Sequence, residues 1–277
     1  MEADRVGVRG LFSDLRITGM KERSARLTFT RRVAVGFLGL ALAAATYAQA
    51  PAQTPPAAQL PSVDQILNRY IDAAGGRSAW LRLTSRVTMG TIDVPAQNLS
   101  GTIELREKAP DRILSEIRIS GVLFRQAFDG TVGWTDDPQN GLRQQSGEEL
   151  SEARRDADFY HPLDLKKLYT RLAVVGPETV DDRAAYEVEA DVPEGAPDEI
   201  YFDAATWLPA RVVSHRHSPQ GMIDFREDFD DYREVDGIKR PFTIRETSGD
   251  TVLTIHVTEV RHNVLLDDSV FTMPAAQ

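Results

Sequence analysis

The sequence predicts a mainly β chain of the α+β class. It reads as one antiparallel sheet of about ten or eleven strands, interrupted once by helices. Three observations carry this reading. Apolar and polar residues alternate with period 2 along run after run, which sets one face of a sheet on a core and the other in water. Short turn-forming stretches join the runs, without the helix-length spacers of βαβ units. The stretch Phe124 to Pro138, FRQAFDGTVGWTDDP, places Asp129-Gly130 between two such runs. Asp-Gly is a strong hairpin signal, because glycine reaches φ > 0 without steric cost.

The first fifty residues read as export machinery. Arg31-Arg32, the apolar run Val33 to Ala45 and Ala48-Gln49-Ala50 supply the n-region, h-region and A-x-A site of a secretory signal peptide cleaved after Ala50. The apolar run is too short for a lasting membrane span. Residues 1–19 lack signal character, so Met20 is an alternative start, and Thr30-Arg31-Arg32 is a weak twin-arginine signal. Pro51 to Pro61, PAQTPPAAQLP, reads as a flexible linker. Residues 62–277 read as a single domain, which the leader sends to the periplasm.

Composition narrows the function. The 277 residues contain no cysteine, which excludes disulfides, thiolate metal sites and a lipidated N-terminal cysteine. Residues 1–50 hold 8 of the 32 basic and 4 of the 42 acidic residues, which leaves 24 against 38 in the exported part, a net of −14. So acidic a surface argues against nucleic acid and against docking on anionic lipid heads.

After the linker, Ser62 is a good N-cap. Val63, Ile66, Leu67, Tyr70 and Ile71 recur at helical spacing until Gly75-Gly76 stops the run. Ser78 to Leu83 adds a short turn that lays Trp80 on the sheet. Strands follow at Arg86 to Ile92, Asn98 to Arg106, Arg112 to Ile119 and Val122 to Phe128, then a short one carrying Trp134. Gly147 to Tyr169 breaks the alternation. Ser146 can cap a helix with acidic residues early and arginines late, matching the helix dipole. His161-Pro162 interrupts it before a second short apolar stripe. Strands resume at Leu172 to Val180, Ala184 to Val192, Glu199 to Asp203, Leu208 to Val213, Met222 to Tyr232, Arg240 to Glu246 and Thr251 to Val260.

With these elements in order, the chain resembles the LolA/LolB-like periplasmic lipoprotein-carrier superfamily, including outer membrane lipoprotein-sorting homologues. The resemblance covers Val63 to Pro274. It rests on the opening amphipathic helix and on Asp129-Gly130 with Trp134 and Pro138. It rests also on the Tyr201-Phe202-Asp203 turn before Leu208, and on Asn263 followed by Asp268, Phe271 and Pro274. It implies an incomplete, strongly curved antiparallel barrel, with the N-terminal helix and the helical insertion closing its mouth over an apolar cavity for acyl chains. Two departures stand out: the segment from Asp182 to Lys239 is long for a LolA, and the lipobox cysteine of an anchored LolB is missing.

The expected function is a non-enzymatic carrier or chaperone for an acylated lipoprotein or a lipid. Such a carrier would be a monomer, with an inner-membrane donor and an outer-membrane acceptor as further partners and no nucleic acid. The alternative is a MucB/RseB-like lipid- or stress-sensing module that binds a partner protein. The cavity is expected to be lined by Val87, Met89, Ile103 and Leu105 from the first two strands, and by Ile113, Ile117, Ile119, Phe124 and Trp134 from the next three. Leu150 would add to it from the helical insertion, and Tyr186, Val188, Phe202, Ile223, Phe225, Phe242 and Ile255 from the later strands.

Polar chemistry is sparse. No G-x-S-x-G, P-loop, G-x-G-x-x-G or HExxH is present, no catalytic residue is identified, and no cofactor or metal is expected. His215 and His217 share a strand face but lack a nearby third ligand. Phe225 to Asp236, FREDFDDYREVD, holds six carboxylates. They read as a solvated strand edge rather than a Ca²⁺ loop or the paired carboxylates of a hydrolase.

Overall fold

The computed structural model describes residues 59–275, apart from 139, 194 and 219–220. The leader and most of the linker lie outside the described residues.

Helix α1 (Val63–Ala73) opens where the linker ends, on a capping box. Ser62 Oγ accepts from the Gln65 amide at 3.2 Å, and Gln65 Oε1 accepts from the Ser62 amide at 2.8 Å. Ser62→Ala is expected to lower stability by about 1 kcal/mol in urea unfolding, the usual cost of an N-cap. The helix stops at Gly75, φ 115°, where a Cβ would meet the Gly237 carbonyl oxygen at 2.0 Å. A one-turn helix, α2 (Arg77–Trp80), then tucks Trp80 into the core, its Nε1 donating to the Ala74 carbonyl at 3.2 Å.

Two meanders make the sheet. The first is β1 (Ser85–Val94), β2 (Leu99–Lys108), β3 (Arg112–Ile119), β4 (Val122–Phe128), β5 (Gly133–Asp137) and β6 (Gly141–Gln144). Helices α3 (Gly147–Asp156) and α4 (His161–Leu168) follow. The second meander is β7 (Arg171–Val180), β8 (Arg183–Asp191), β9 (Asp198–Asp203), β10 (Pro209–Ser218), β11 (Gly221–Val235), β12 (Ile238–Ser248) and β13 (Thr251–His262). All pairings are antiparallel, in the order β6-β5-β4-β3-β2-β1-β13-β12-β11-β10-β9-β8-β7. The sheet curls without closing into a barrel. Among the described residues it has thirteen strands rather than about ten or eleven; twelve fall on the runs read from the sequence, and β6, four residues reading GLRQ, is too short and polar for alternation to reveal.

This order gives the helical insertion its role. β6 and β7 are the two free edges, and α3 and α4 are the chain between them. A bidentate pair from Arg143 of β6 to Glu149, both contacts 2.8 Å, fixes α3 to one edge. Ser146 makes no capping hydrogen bond, contrary to expectation. Pro162 sits in the first turn of α4, where its missing N–H costs nothing, so His161-Pro162 begins a helix; α3 has already ended at Asp156.

Two turns use one device. Asp129 Oδ1 accepts from the amides of Thr131 and Val132 at 2.9 and 2.7 Å, making the β4–β5 connection a four-residue loop instead of a tight two-residue turn. Asp203 Oδ1 likewise accepts from the amides of Ala205 and Thr206 at 2.9 and 2.7 Å between β9 and β10.

The acidic run matches its reading in part: Asp230, Asp231, Glu234 and Asp236 are exposed, but two points differ. β11 is an interior strand between β10 and β12, not an edge. Asp228 is buried between Arg211 and Arg245, its cross-strand partners, with Arg226 at 3.1 Å; Glu227 is buried on the opposite face. Glu227 and Asp228 are buried, so these two carboxylates need partners rather than solvent.

Beyond β13 the chain becomes a strap along the convex side of the first meander. Asn263 Oδ1 accepts from the Thr84 amide at 2.8 Å, the Val264 carbonyl accepts from Ser85 Oγ at 2.6 Å, and the Leu266 carbonyl accepts from Lys108 Nζ at 2.8 Å. The strap ends with Phe271, fully buried against Leu114, Ala127 and Trp134.

Candidate functional site

The curled sheet and the helices enclose a cavity of about 310 Å³, near the lower end of the roughly 300–1,000 Å³ usual for small-molecule sites. Its walls differ in character. Tyr70 of α1, Phe159 of the α3–α4 turn and Leu165 of α4 roof it. Ile200, Phe202, Val212, Phe229 and Ile244 form an apolar wall from β9 to β12. The opposite wall, from β1 to β4, is mixed: Leu105, Ile113 and Phe128 stand among Arg86, Glu107, Ser115 and Gln126. The hollow is therefore neither packed solid nor uniformly apolar.

Cross-strand register explains the polar wall. Arg86 faces Glu107, which faces Ile113, which faces Phe128. One row along, Leu105 faces Ser115, which faces Gln126. Ser115 Oγ and Gln126 Oε1 are buried without a hydrogen-bond partner among the described residues. Beyond these rows, Ile92, Ile103, Ile117, Ile119, Leu253 and Ile255 pack together and seal the far end.

Of the residues expected to line the cavity, Leu105, Ile113 and Phe202 do so. Ile103, Ile117, Ile119 and Ile255 belong to the seal, with Phe124 against it. Val188 and Tyr186 pack beneath α1, and Tyr186 stacks on Trp207 at 5.5 Å. Leu150 lies over Gly133. Trp134 is a clear correction. It faces the convex side, where its Nε1 donates to the Phe271 carbonyl at 2.8 Å. Val87 and Met89 also point away from Arg86 by strand alternation, and Met89 borders a shallow outer groove with Leu123. Phe225 is buried on β11 outside the lining, and Phe242 lies under the Arg233 guanidinium at 4.7 Å. Ile223 pairs with Arg216 in the ladder; its side chain is outside the described set.

Arg86 and Glu107 were missed because a charge on an alternating strand reads as outward. A signal existed. Arg86 shares strand parity with Ile92 and Val94, and Glu107 continues the series of Ile103 and Leu105. Arg86 is 2% exposed; its Nε donates to Glu107 Oε2 at 2.6 Å and its Nη2 to Oε1. The rings of Phe159 and Trp80 lie 5.2 and 6.0 Å from its guanidinium carbon.

The electrostatics follow from burial. Burial pushes the Glu107 carboxyl up, but Arg86 and Arg240 outweigh it and hold the group below the usual carboxylate range. Burial, then Arg86, draws the Arg240 guanidinium down to about 10. Burial pushes the Tyr70 hydroxyl up to about 12, so it stays a neutral donor. Burial lowers His262 despite its contact with Asp236 at 2.9 Å.

Asp158, in the α3–α4 turn, titrates differently. Burial and then Asp164 push its carboxyl up to about 6, and its Oδ1 has no partner among the described residues. The folded state therefore holds a proton that the unfolded chain releases near pH 4. That stabilisation is complete below about pH 4 and lost as pH rises through about 6. Asp158→Asn, which cannot ionise, is expected to gain on the wild type between pH 4.5 and 7.5 in paired urea titrations. A constant gap would contradict the assignment.

His215 contacts Asp224 at 2.9 Å and Glu199 at 3.6 Å. Burial lowers its pKa, yet these carboxylates raise it more. Among the described residues no three metal-ligating side chains cluster, and no helix is long and apolar enough to cross a membrane.

No protein-family model matches the chain, and no curated protein matches it in sequence. Solved structures do match in shape. A DUF1329 family protein from Desulfovibrio piger superposes with a TM-score of 0.50 at 16% identity, covering 78% of this chain and 99% of that one. A LolA superfamily protein from Nitrosomonas europaea gives a TM-score of 0.50 at 14% identity, covering 77% and 98%. The fold is LolA-like: a curled, incomplete antiparallel barrel with helices across its opening.

Proposed function

We propose that this LolA-like chain is a carrier that shields the apolar part of a lipid, or the acyl chain of a lipoprotein, during transit through the periplasm. The observation that supports it is the cavity, with its apolar β9–β12 wall and helical roof. Each buried CH₂ contributes about 0.8 kcal/mol, so a ~14-carbon chain supplies on the order of 10 kcal/mol before the entropy of association is subtracted. Burial alone holds such a cargo, and no bond is made or broken.

The edges matter to this reading. β6 and β7 are not bonded to each other, and the α3–α4 segment bridges them. Opening that bridge admits cargo without unzipping any strand pair. Handover from an inner-membrane donor to an outer-membrane acceptor needs such a reversible roof.

The test is purification of the exported chain without detergent, followed by solvent extraction and mass spectrometry. Acyl lipid is expected near one equivalent. Protein that is empty, and that takes up no acyl ligand when titrated with one, overturns the proposal.

A further inference from the structure

We propose that the cavity's ligand has an anionic head: a single acyl chain ending in a carboxylate or phosphate monoester, held between Arg86 and Arg240. This rests on the carrier reading above and specifies its cargo.

Three unused donors converge on one corner of the cavity. The Arg240 guanidinium, on β12, has no hydrogen-bond or ion-pair partner among the described residues, although it lines the cavity. Arg86 is almost wholly buried and commits Nε and Nη2 to Glu107, which leaves Nη1 without a partner. The Tyr70 hydroxyl, on α1, lines the same corner and also lacks a partner among the described residues. Both arginines act electrostatically on Tyr70 and on Glu107, which places all four groups together.

The local charge is unbalanced. Glu107 offsets one arginine, and His262 is kept neutral by burial. One positive charge remains, on the half-buried Arg240, where partial loss of solvent makes an unpaired charge costly. Three further acidic lining residues, Glu227, Glu246 and Asp158, stand elsewhere. Glu227 and Glu246 face each other across β11 and β12, and Glu246 is six residues along β12 from Arg240, roughly 20 Å at strand spacing. The charges acting on Asp158 are Asp164, Lys167 and Asp111, not the two arginines. An anion at the corner supplies the missing charge and accepts from all three donors. Its chain then runs along Phe202, Val212 and Ile244.

The experiment displaces the neutral dye 1-aminoanthracene from delipidated full-length chain with palmitate, palmitoyl lysophosphatidic acid or methyl palmitate. The three share one acyl chain and differ at the head. At least one of the two anions is expected to displace the dye at about tenfold lower concentration than the ester, as suits hydrogen bonds to a charged group. Whichever anion leads identifies carboxylate or phosphate. Arg240→Gln should bring that anion and the ester to within about twofold of each other, and Arg240→Lys should keep part of the advantage. Equal displacement by both anions and the ester in the wild type overturns the proposal and leaves the carrier reading intact; so does an advantage that survives in Arg240→Gln. Failure of all three ligands overturns both. If Arg240→Gln does not fold, the wild-type comparison and Arg240→Lys decide.

Discussion

Glu107→Ala is expected to lower the unfolding free energy by about 3–5 kcal/mol, the usual cost of stranding one half of a buried ion pair. Arg86 would lose both hydrogen bonds while remaining wedged between Trp80 and Phe159. Its charge would then stand beside Arg240 without the carboxylate that now moderates both. The double variant Arg86→Met/Glu107→Leu removes the charge together with its partner and should recover most of the loss, since apolar replacements of a buried pair are often neutral or better. Urea unfolding of the single and double variants measures the difference. A Glu107→Ala loss below about 1 kcal/mol would mean that solvent reaches the pair freely. Acid should act in the same direction. Glu107 titrates below its unfolded value, so its contribution is present above that value and fades as pH falls through the folded one.

Trp134→Ala should cost about 3–5 kcal/mol, typical of a large aromatic removed from a core. Trp134 is 2% exposed and meets Leu114, Ala127 and Phe271. Its loss empties the place where the strap ends. Trp134→Phe keeps most of the volume but removes the hydrogen bond to the Phe271 carbonyl, and should cost about 1 kcal/mol. Acyl uptake per folded molecule should be unchanged in Trp134→Phe, because this residue faces away from the cavity. A selective loss of uptake there would place Trp134 at the ligand after all.

The architecture was legible in the sequence to a useful depth because its signals are local. Alternation marks strands, Ser62 with Gln65 marks a helix start, and Asp129 marks a turn. β6 was not legible, since four residues are too few for a period to emerge. The lining was much less legible. Period 2 says that Ile103 and Leu105 share a face, but not where along that face the packed seal ends and the open cavity begins. Leu105 reaches the cavity while Ile103 lies in the seal. Nor does alternation reveal that a charge points inward when its partner sits on another strand. Arg86 and Glu107 neutralise each other across twenty-one positions of sequence, a pairing that only register discloses. Trp134 falls on a short strand as read but on the opposite side, because β5 presents that residue to the strap and Gly133 to the interior.

The meeting of β1 with β13 has a consequence for how the molecule comes into being. Each meander links strands that are neighbours in sequence, so each can zip up locally. The seam joins Arg86 to His262 and must wait for the final strand. Such distant pairings slow folding. Two half-sheets are thus expected to mature separately and to be welded late. Cleavage between α3 and α4 should yield two fragments that find each other again through that weld.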